Sequence, residues 1–206
     1  MFIPNYFKVS DIDEIVDFVR EHPFGIVVTT ENGQPVATHL PMQLRKIEGE
    51  YYITGHVAYA NPQWKTLRDS NEKVLVIFQG PHAYISSSWY QHENVPTWNY
   101  QAVHIYGTAN IMSDQELEEE LKLLLQTYES DRSHPVLWER LSSKTKEQIK
   151  GIVGFNIKVE EIQAAYKLSQ NRNDEDYKHI IKKLHEEDIN SQQVAEAMTK
   201  QKEDFR

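Results

Sequence analysis

The stretch FQGPHAYISSSWYQHENVPTWNYQAVHIYG, residues 78–107, decides how the rest of the chain is read. Phe78, Tyr84, Trp89, Tyr90, Trp98, Tyr100 and Tyr106 make it strongly aromatic, and His82, His92 and His104 add imidazoles. Ser86, Ser87 and Ser88 form a hydroxyl run, and Glu93 is the only formal charge. Large rings mixed with neutral donors can bury themselves and still present hydrogen bonds to a flat polar ligand, which is how ligand pockets are built. The same mixture suits an aromatic core hairpin whose hydroxyls cap turns, because buried Tyr and Trp find partners of their own. Composition leaves both readings standing.

Outward from this stretch, short apolar runs alternate with turn residues. A strand over 73–79 is followed by Gly80-Pro81 as a turn and by a strand over 82–88; residues 91–97 read as a loop and 100–111 as another strand. Upstream, FGIVVTT (24–30) is β-branched, Asn32-Gly33 supplies the two positive φ angles of a tight hairpin, and the partner strand covers 35–44. Glu48-Gly49 turns the chain into a strand over 51–56. Ser10 and Asp13 cap an amphipathic helix over 11–21, and Asn61-Pro62 opens a short helix that runs to residue 68. Downstream, Ser113 and Glu116 form a capping box for a helix to residue 128 with a Leu117, Leu121, Leu124, Leu125 stripe. Short helices over 135–141 and 143–150 precede a strand over 151–159 that would close a barrel. An extended piece over 164–168 and helices over 174–187 and 191–202 complete the chain. Strands at short turns with one helix between them indicate an antiparallel barrel rather than a parallel sheet.

The totals narrow the function. A chain of 206 residues with 39% hydrophobic side chains builds one core with at most a small appendage. No apolar run is long enough to cross a membrane, and there is no cysteine, so disulfides, thiol catalysis and thiolate metal sites are excluded. A reducing cytoplasm is the expected location. Net charge is −9, and non-specific duplex binding depends on Lys and Arg neutralising phosphates. The last helices carry nine acids against six bases from residue 174 on, so they read as a packing appendage rather than a DNA-reading helix-turn-helix.

Candidate chemistry is sparse. The histidines have no H-E-x-x-H spacing, and no metal residue is assigned. The serine run lacks a G-x-S-x-G elbow, so no catalytic residue is assigned either. Phosphate cradling is better supported. Thr54, Gly55 and His56 end a strand shortly before Asn61-Pro62 begins a helix, and free amides at a helix start attract phosphate.

Three segments carry a resemblance: GHVAYANPQW (55–64), QGPHAYISSSWYQHENVPTWNYQAVHIYG (79–107) and AAYKLSQNR (164–172). They resemble the signatures of the PaiB-type family of negative transcriptional regulators, from MFIPNYF at the start to KLSQNR before the tail. The resemblance implies an FMN-binding split barrel, related in fold to pyridoxamine phosphate oxidases, and an association with repression of protease synthesis and sporulation. It also implies a homodimer with flavin at the interface. Carried onto this chain, the phosphate would lie near Thr54, Gly55, His56, Asn61 and Trp64. Thr38 and His39 would flank the ring, with Ser86, Ser87 and Trp89 from the aromatic stretch. One departure stands out: the oxidases surround the phosphate with Arg and Lys, whereas here Asn61 and Gln63 are neutral and Lys65 is the nearest cation. A phosphate held by dipoles and neutral donors is bound more weakly than in a charge-assisted site.

The expectation is an α+β, mainly β fold: an antiparallel split β-barrel over 1–172 with peripheral helices, and a helical C-terminal appendage over 173–206. The expected function is negative regulation of transcription with FMN as a ligand, in a cytoplasmic homodimer without an identifiable basic DNA face. The rival is an FMN-dependent oxidoreductase of a small molecule, using a donor such as His82, His92 or Tyr100. A haem-binding relative is a third reading.

Overall fold

The computed structural model describes residues 1–69 and 73–204; the last two residues of the expected tail, 205 and 206, lie outside the described residues. After a 3-10 turn at Asn5–Phe7 come β1 (Lys8–Val9), α1 (Ile12–Glu21), β2 (Phe24–Glu31), β3 (Gln34–Pro41), β4 (Gln43–Ile47) and β5 (Glu50–Ala58). Then follow α2 (Gln63–Asp69), β6 (Val74–Ile85), a 3-10 turn at Ser87–Trp89, β7 (Thr97–Ile111) and α3 (Asp114–Glu129). A 3-10 turn at Trp138–Arg140, α4 (Ser143–Lys146) and a further 3-10 turn lead to β8 (Ile152–Lys167), α5 (Asp174–Leu184) and α6 (Ile189–Asp204).

The strands form one sheet in the order β3-β2-β6-β7-β8-β5-β4, with β1 on β8. The ladders β2–β3, β4–β5, β5–β8 and β1–β8 are antiparallel. β3 and β4 end this order, yet only Met42 separates them in sequence. The two ends of the sheet therefore lie side by side with no ladder between them, and the barrel is split. The strand expected to close it is instead an interior one, between β7 and β5.

Several local expectations are corrected. Gly80-Pro81 is no turn: β6 runs straight through it. A Cβ on Gly80 would sit 2.8 Å from the Phe18 ring, so glycine is there to let α1 pack closely. The strand expected over 35–44 breaks at Met42, whose amide leaves the hairpin ladder to donate to the Pro23 carbonyl at 2.8 Å. The two extended pieces at 151–159 and 164–168 are one strand, β8, since no Gly or Pro falls between them. The strand over 82–88 stops at Ile85, because Ser86 turns its hydroxyl onto the Ser88 amide and starts a 3-10 turn. The helix over 135–141 shrinks to the 3-10 turn at Trp138–Arg140. On α1 the cap is Asp11, accepting from the amides of Asp13 and Glu14.

Other local readings hold. Asn32 and Gly33 have φ of 52° and 81°, as the two-residue hairpin requires, and the Ser113–Glu116 capping box forms.

Two compact units can be distinguished: one contains residues 1–22, 77–104 and 163–206, the other 23–76 and 105–162. In the second, Val27, Leu40, Met42, Ile53, Val57, Phe155 and Ile157 form the core. Gly107 allows β7 and β8 to approach, since a Cβ there would fall 2.0 Å from the Lys158 carbonyl. In the first unit, Tyr177, Ile180 and Leu184 of α5 and Val194, Ala195 and Met198 of α6 are buried. The Tyr177 hydroxyl donates to the Met198 carbonyl at 2.6 Å, and burial raises its pKa to about 12. No helix among the described residues is long and apolar enough to cross a membrane.

Candidate functional site

The ten residues expected to hold a flavin fall into separate places. Thr38 on β3, and Asn61 and Gln63 at the start of α2, make one lattice. Asn61 accepts from the Gln63 amide at 3.0 Å and donates to the Thr38 hydroxyl at 2.9 Å; Thr38 in turn donates to Gln63 Oε1 at 2.5 Å. Gln63 Nε2 reaches the Val27 carbonyl, the Thr29 hydroxyl and the Val36 carbonyl at 3.0–3.2 Å. Gln63 is 2% exposed, so this is a buried polar hub that fixes α2 to the β2–β3 hairpin. In the sequence Gln63 registers only as a neutral neighbour of the expected phosphate. Its signal was position: the third residue of Asn-Pro-Gln, where the first helical turn faces inward.

His39 lies apart from this lattice. It alternates with Thr38 on β3, so it occupies the other face of the hairpin, where its ring stacks on exposed Phe24 with centroids 6.5 Å apart. On β5, Gly55 faces the core, and a Cβ there would meet Met42, Phe155 and Leu40 side chains at 3.1–3.3 Å. Thr54 and His56 point to the opposite face of β5. The Thr54 hydroxyl donates to Glu120 Oε1 at 2.8 Å, and Arg45 is ion-paired with the other Glu120 oxygen. Glu120, on α3, is 3% exposed; it and Arg45 went unnoticed in the sequence because a single Glu in an acidic helix looks like solvent-facing charge. This group borders a cavity of about 620 Å³ whose wall includes Arg45, Thr54, Glu116, Glu119 and Glu120. Ser86, Ser87 and Trp89 belong to the other unit, at the 3-10 turn, where the Ser86 and Ser88 hydroxyls bond each other at 2.9 Å.

Burial pushes the His56 imidazole below its ordinary pKa of 6.5, with the Glu120 carboxylate opposing. His22 is lowered by burial against Glu21, and His104 by burial and then by the N-terminal ammonium. A histidine held neutral in the fold binds fewer protons than it does unfolded. Its stabilising contribution is therefore complete above pH 6.5 and is lost as pH falls below that value. The denaturation midpoint should drop between about pH 7.5 and about pH 5.5, and His56→Gln should make the drop shallower. A midpoint unchanged across that range would contradict this burial.

How well do these residues suit FMN? The hydroxyls of Thr38 and Thr54 and the amide of Asn61 are engaged within the chain, and the cavity beside Thr54 is lined by three glutamates against one arginine. Neither place suits a phosphate dianion. The corner of α2 is different. Trp64 stacks on Tyr59 with centroids 5.6 Å apart, and its indole N–H donates to the Tyr59 carbonyl. The Arg68 guanidinium lies 5.0 Å and the Lys65 ammonium 5.9 Å from the Trp64 ring. Tyr59 is 59% exposed. Arg68 is paired with both Asp69 oxygens at 2.6 and 2.7 Å, so Lys65 supplies the positive charge beside a flat, accessible aromatic pair, an arrangement that suits a flat anionic ligand.

Residues 1–161 match the protein family described as "Putative FMN-binding domain". The chain is also 61% identical over 200 residues, 96% of both chains, to "Protease synthase and sporulation protein PAI 2" of Bacillus subtilis. The chain belongs to this family. Among solved structures it is similar to the flavocytochrome Anf3 of Azotobacter vinelandii (TM-score 0.63, 19% identity, 85% of this chain and 78% of that one). It is also similar to the FAD and heme binding protein of Mycobacterium smegmatis (TM-score 0.62, 14% identity, 82% and 78%). At those identities the likeness is one of fold, and it agrees with the split barrel found here.

Proposed function

We propose that this member of the FMN-binding split-barrel family is a negative regulator of protease synthesis and sporulation that carries FMN as a homodimer. The observation behind the regulatory reading is the 61% identity over 96% of both chains to a protein named for those two processes. FMN, when bound, supplies a redox-active ring. The chain's part is to hold it: Trp64 and Tyr59 offer the stacking surface, Lys65 the positive charge, and the Thr38–Asn61–Gln63 lattice keeps that corner rigid. Ser86, Ser87, Trp89, His39 and His56 are each to be tested individually, whereas Thr54, bonded to Glu120, and Gly55, turned to the core, are left out of the proposed site. With net charge −9, we place transcriptional control in a partner or ligand state rather than in broad contact with duplex DNA.

The test joins the two halves of the reading. Deleting the gene should raise transcription from protease promoters, wild-type protein should restore repression, and Trp64→Ala should restore it only in part. The same variant should weaken FMN binding by about tenfold, since stacking on a large ring is lost. Unchanged protease transcription in the deletion strain would refute the regulatory reading; full FMN affinity in Trp64→Ala would refute the α2 corner as the ligand site.

A further inference from the structure

A second concavity, in the unit of residues 1–22, 77–104 and 163–206, belongs to nothing described above. It has a volume of about 740 Å³ and is bordered by α1 and α6. Glu14, Asp17 and Glu21 of α1 and Glu196 of α6 line it, with Phe18 and Tyr166 as aromatic wall. Glu14 and Glu21 are seven residues apart, so about 10 Å of helix carries the row of carboxylates. Arg20 holds Asp17 at 2.8 Å and Asp11 caps the helix, but among the described residues no cation pairs with Glu21 or Glu196 within 4.0 Å. Lys200 is the single Lys or Arg on the wall, and burial keeps the neighbouring His22 imidazole below its ordinary pKa.

Tyr166 supplies an independent observation. It is 3% exposed, and its hydroxyl has no hydrogen-bond partner among the described residues. Its ring lies against Phe18 with centroids 5.2 Å apart, and both residues line the cavity. Gln201 Oε1, also on this wall, is likewise buried without a partner. Buried polar atoms are normally satisfied, so two unpartnered oxygens beside an anionic row mark a place where donors are missing. A metal ion does not meet this need, because no three His, Asp or Glu side chains among the described residues converge on one point. The spacing fits charge spread along a chain, and the two rings suit the methylenes between charges.

We propose that this cavity binds a linear polyamine, its ammonium groups paired along the α1 carboxylates and Glu196 and its N–H donors reaching Tyr166 and Gln201. The probe is bis(3-aminopropyl)amine, whose three-carbon spacers set its charges about one helical turn apart. Titration calorimetry of the full chain should show one triamine per chain. The double variant Glu21→Gln/Glu196→Gln should weaken it at least about tenfold and Tyr166→Phe about threefold, as charge-assisted contacts and one acceptor are lost. n-Propylamine and Mg²⁺ should each bind at least about tenfold more weakly than the triamine, since neither spans the row. Affinity unchanged in the double variant would overturn the proposal, as would Mg²⁺ binding that equals the triamine's, which would mean a diffuse ion atmosphere. Should the double variant fail to fold, Glu196→Gln alone, at an exposed position of α6, carries the same test: an affinity loss supports the site and no loss overturns it.

Discussion

Gln63→Leu should destabilise the protein by about 3–4 kcal/mol and lower its melting temperature by about 10 °C. The side chain keeps the size of the amide but removes every polar contact. The Val27 carbonyl and the Thr29 hydroxyl lose a donor in a buried place, and the Val36 carbonyl and the Thr38 hydroxyl lose their partner in a half-buried one. Leaving buried groups unpaired costs more than the net worth of the bonds themselves. Gln63→Glu tests the same hub differently: it keeps the acceptor for Thr38 but turns the donating amide into an oxygen facing two carbonyls. Both variants should also loosen the α2 corner, so FMN affinity should fall alongside stability. Thermal unfolding followed by circular dichroism is the check. A loss below about 1 kcal/mol would mean that the hub does not carry the junction of α2 with the hairpin.

Glu120→Leu should cost about 3–5 kcal/mol, chiefly by leaving Arg45 charged and uncompensated beside Thr54. The informative comparison is the double variant Arg45→Met/Glu120→Leu. Removing both charges also removes the need to keep either out of water, so most of the single variant's loss should return. Denaturant midpoints of the two variants, read with an unchanged slope, separate the outcomes. If the double variant is as unstable as the sum of its single changes, the pair is not coupled and the buried bridge of β4, β5 and α3 has been misassigned.

The sequence disclosed the parts of this fold that local chemistry dictates. Asn32-Gly33 and Glu48-Gly49 announced hairpins because positive φ angles need such residues, and Ser113 with Glu116 announced a helix start through a bond within four residues. What it hid depends on partners far along the chain. Gly80-Pro81 looks like punctuation until Phe18, sixty-two positions earlier, is placed against it. The Leu117–Leu125 stripe suggested a deeply packed helix, yet α3 buries only Leu117 and the charged Glu120. Of the candidate site, Asn61 was expected near the phosphate and Thr38 beside the ring; a contact across twenty-three positions instead joins them at the start of α2, where Asn61 donates to the Thr38 hydroxyl and accepts from the Gln63 amide. Tyr59 and Arg68, which complete the aromatic and cationic corner around Trp64, had no spacing signal beyond lying near a short helix.

We propose above that this chain carries FMN at that corner. The measurement that tests it most directly is calorimetric titration of the purified, flavin-free chain with FMN, paired with its visible absorbance as isolated. The account predicts one FMN per chain, accompanied by quenching of Trp64 fluorescence. No binding, or binding that leaves the tryptophan emission of Trp64→Ala and wild type equally quenched, would contradict it.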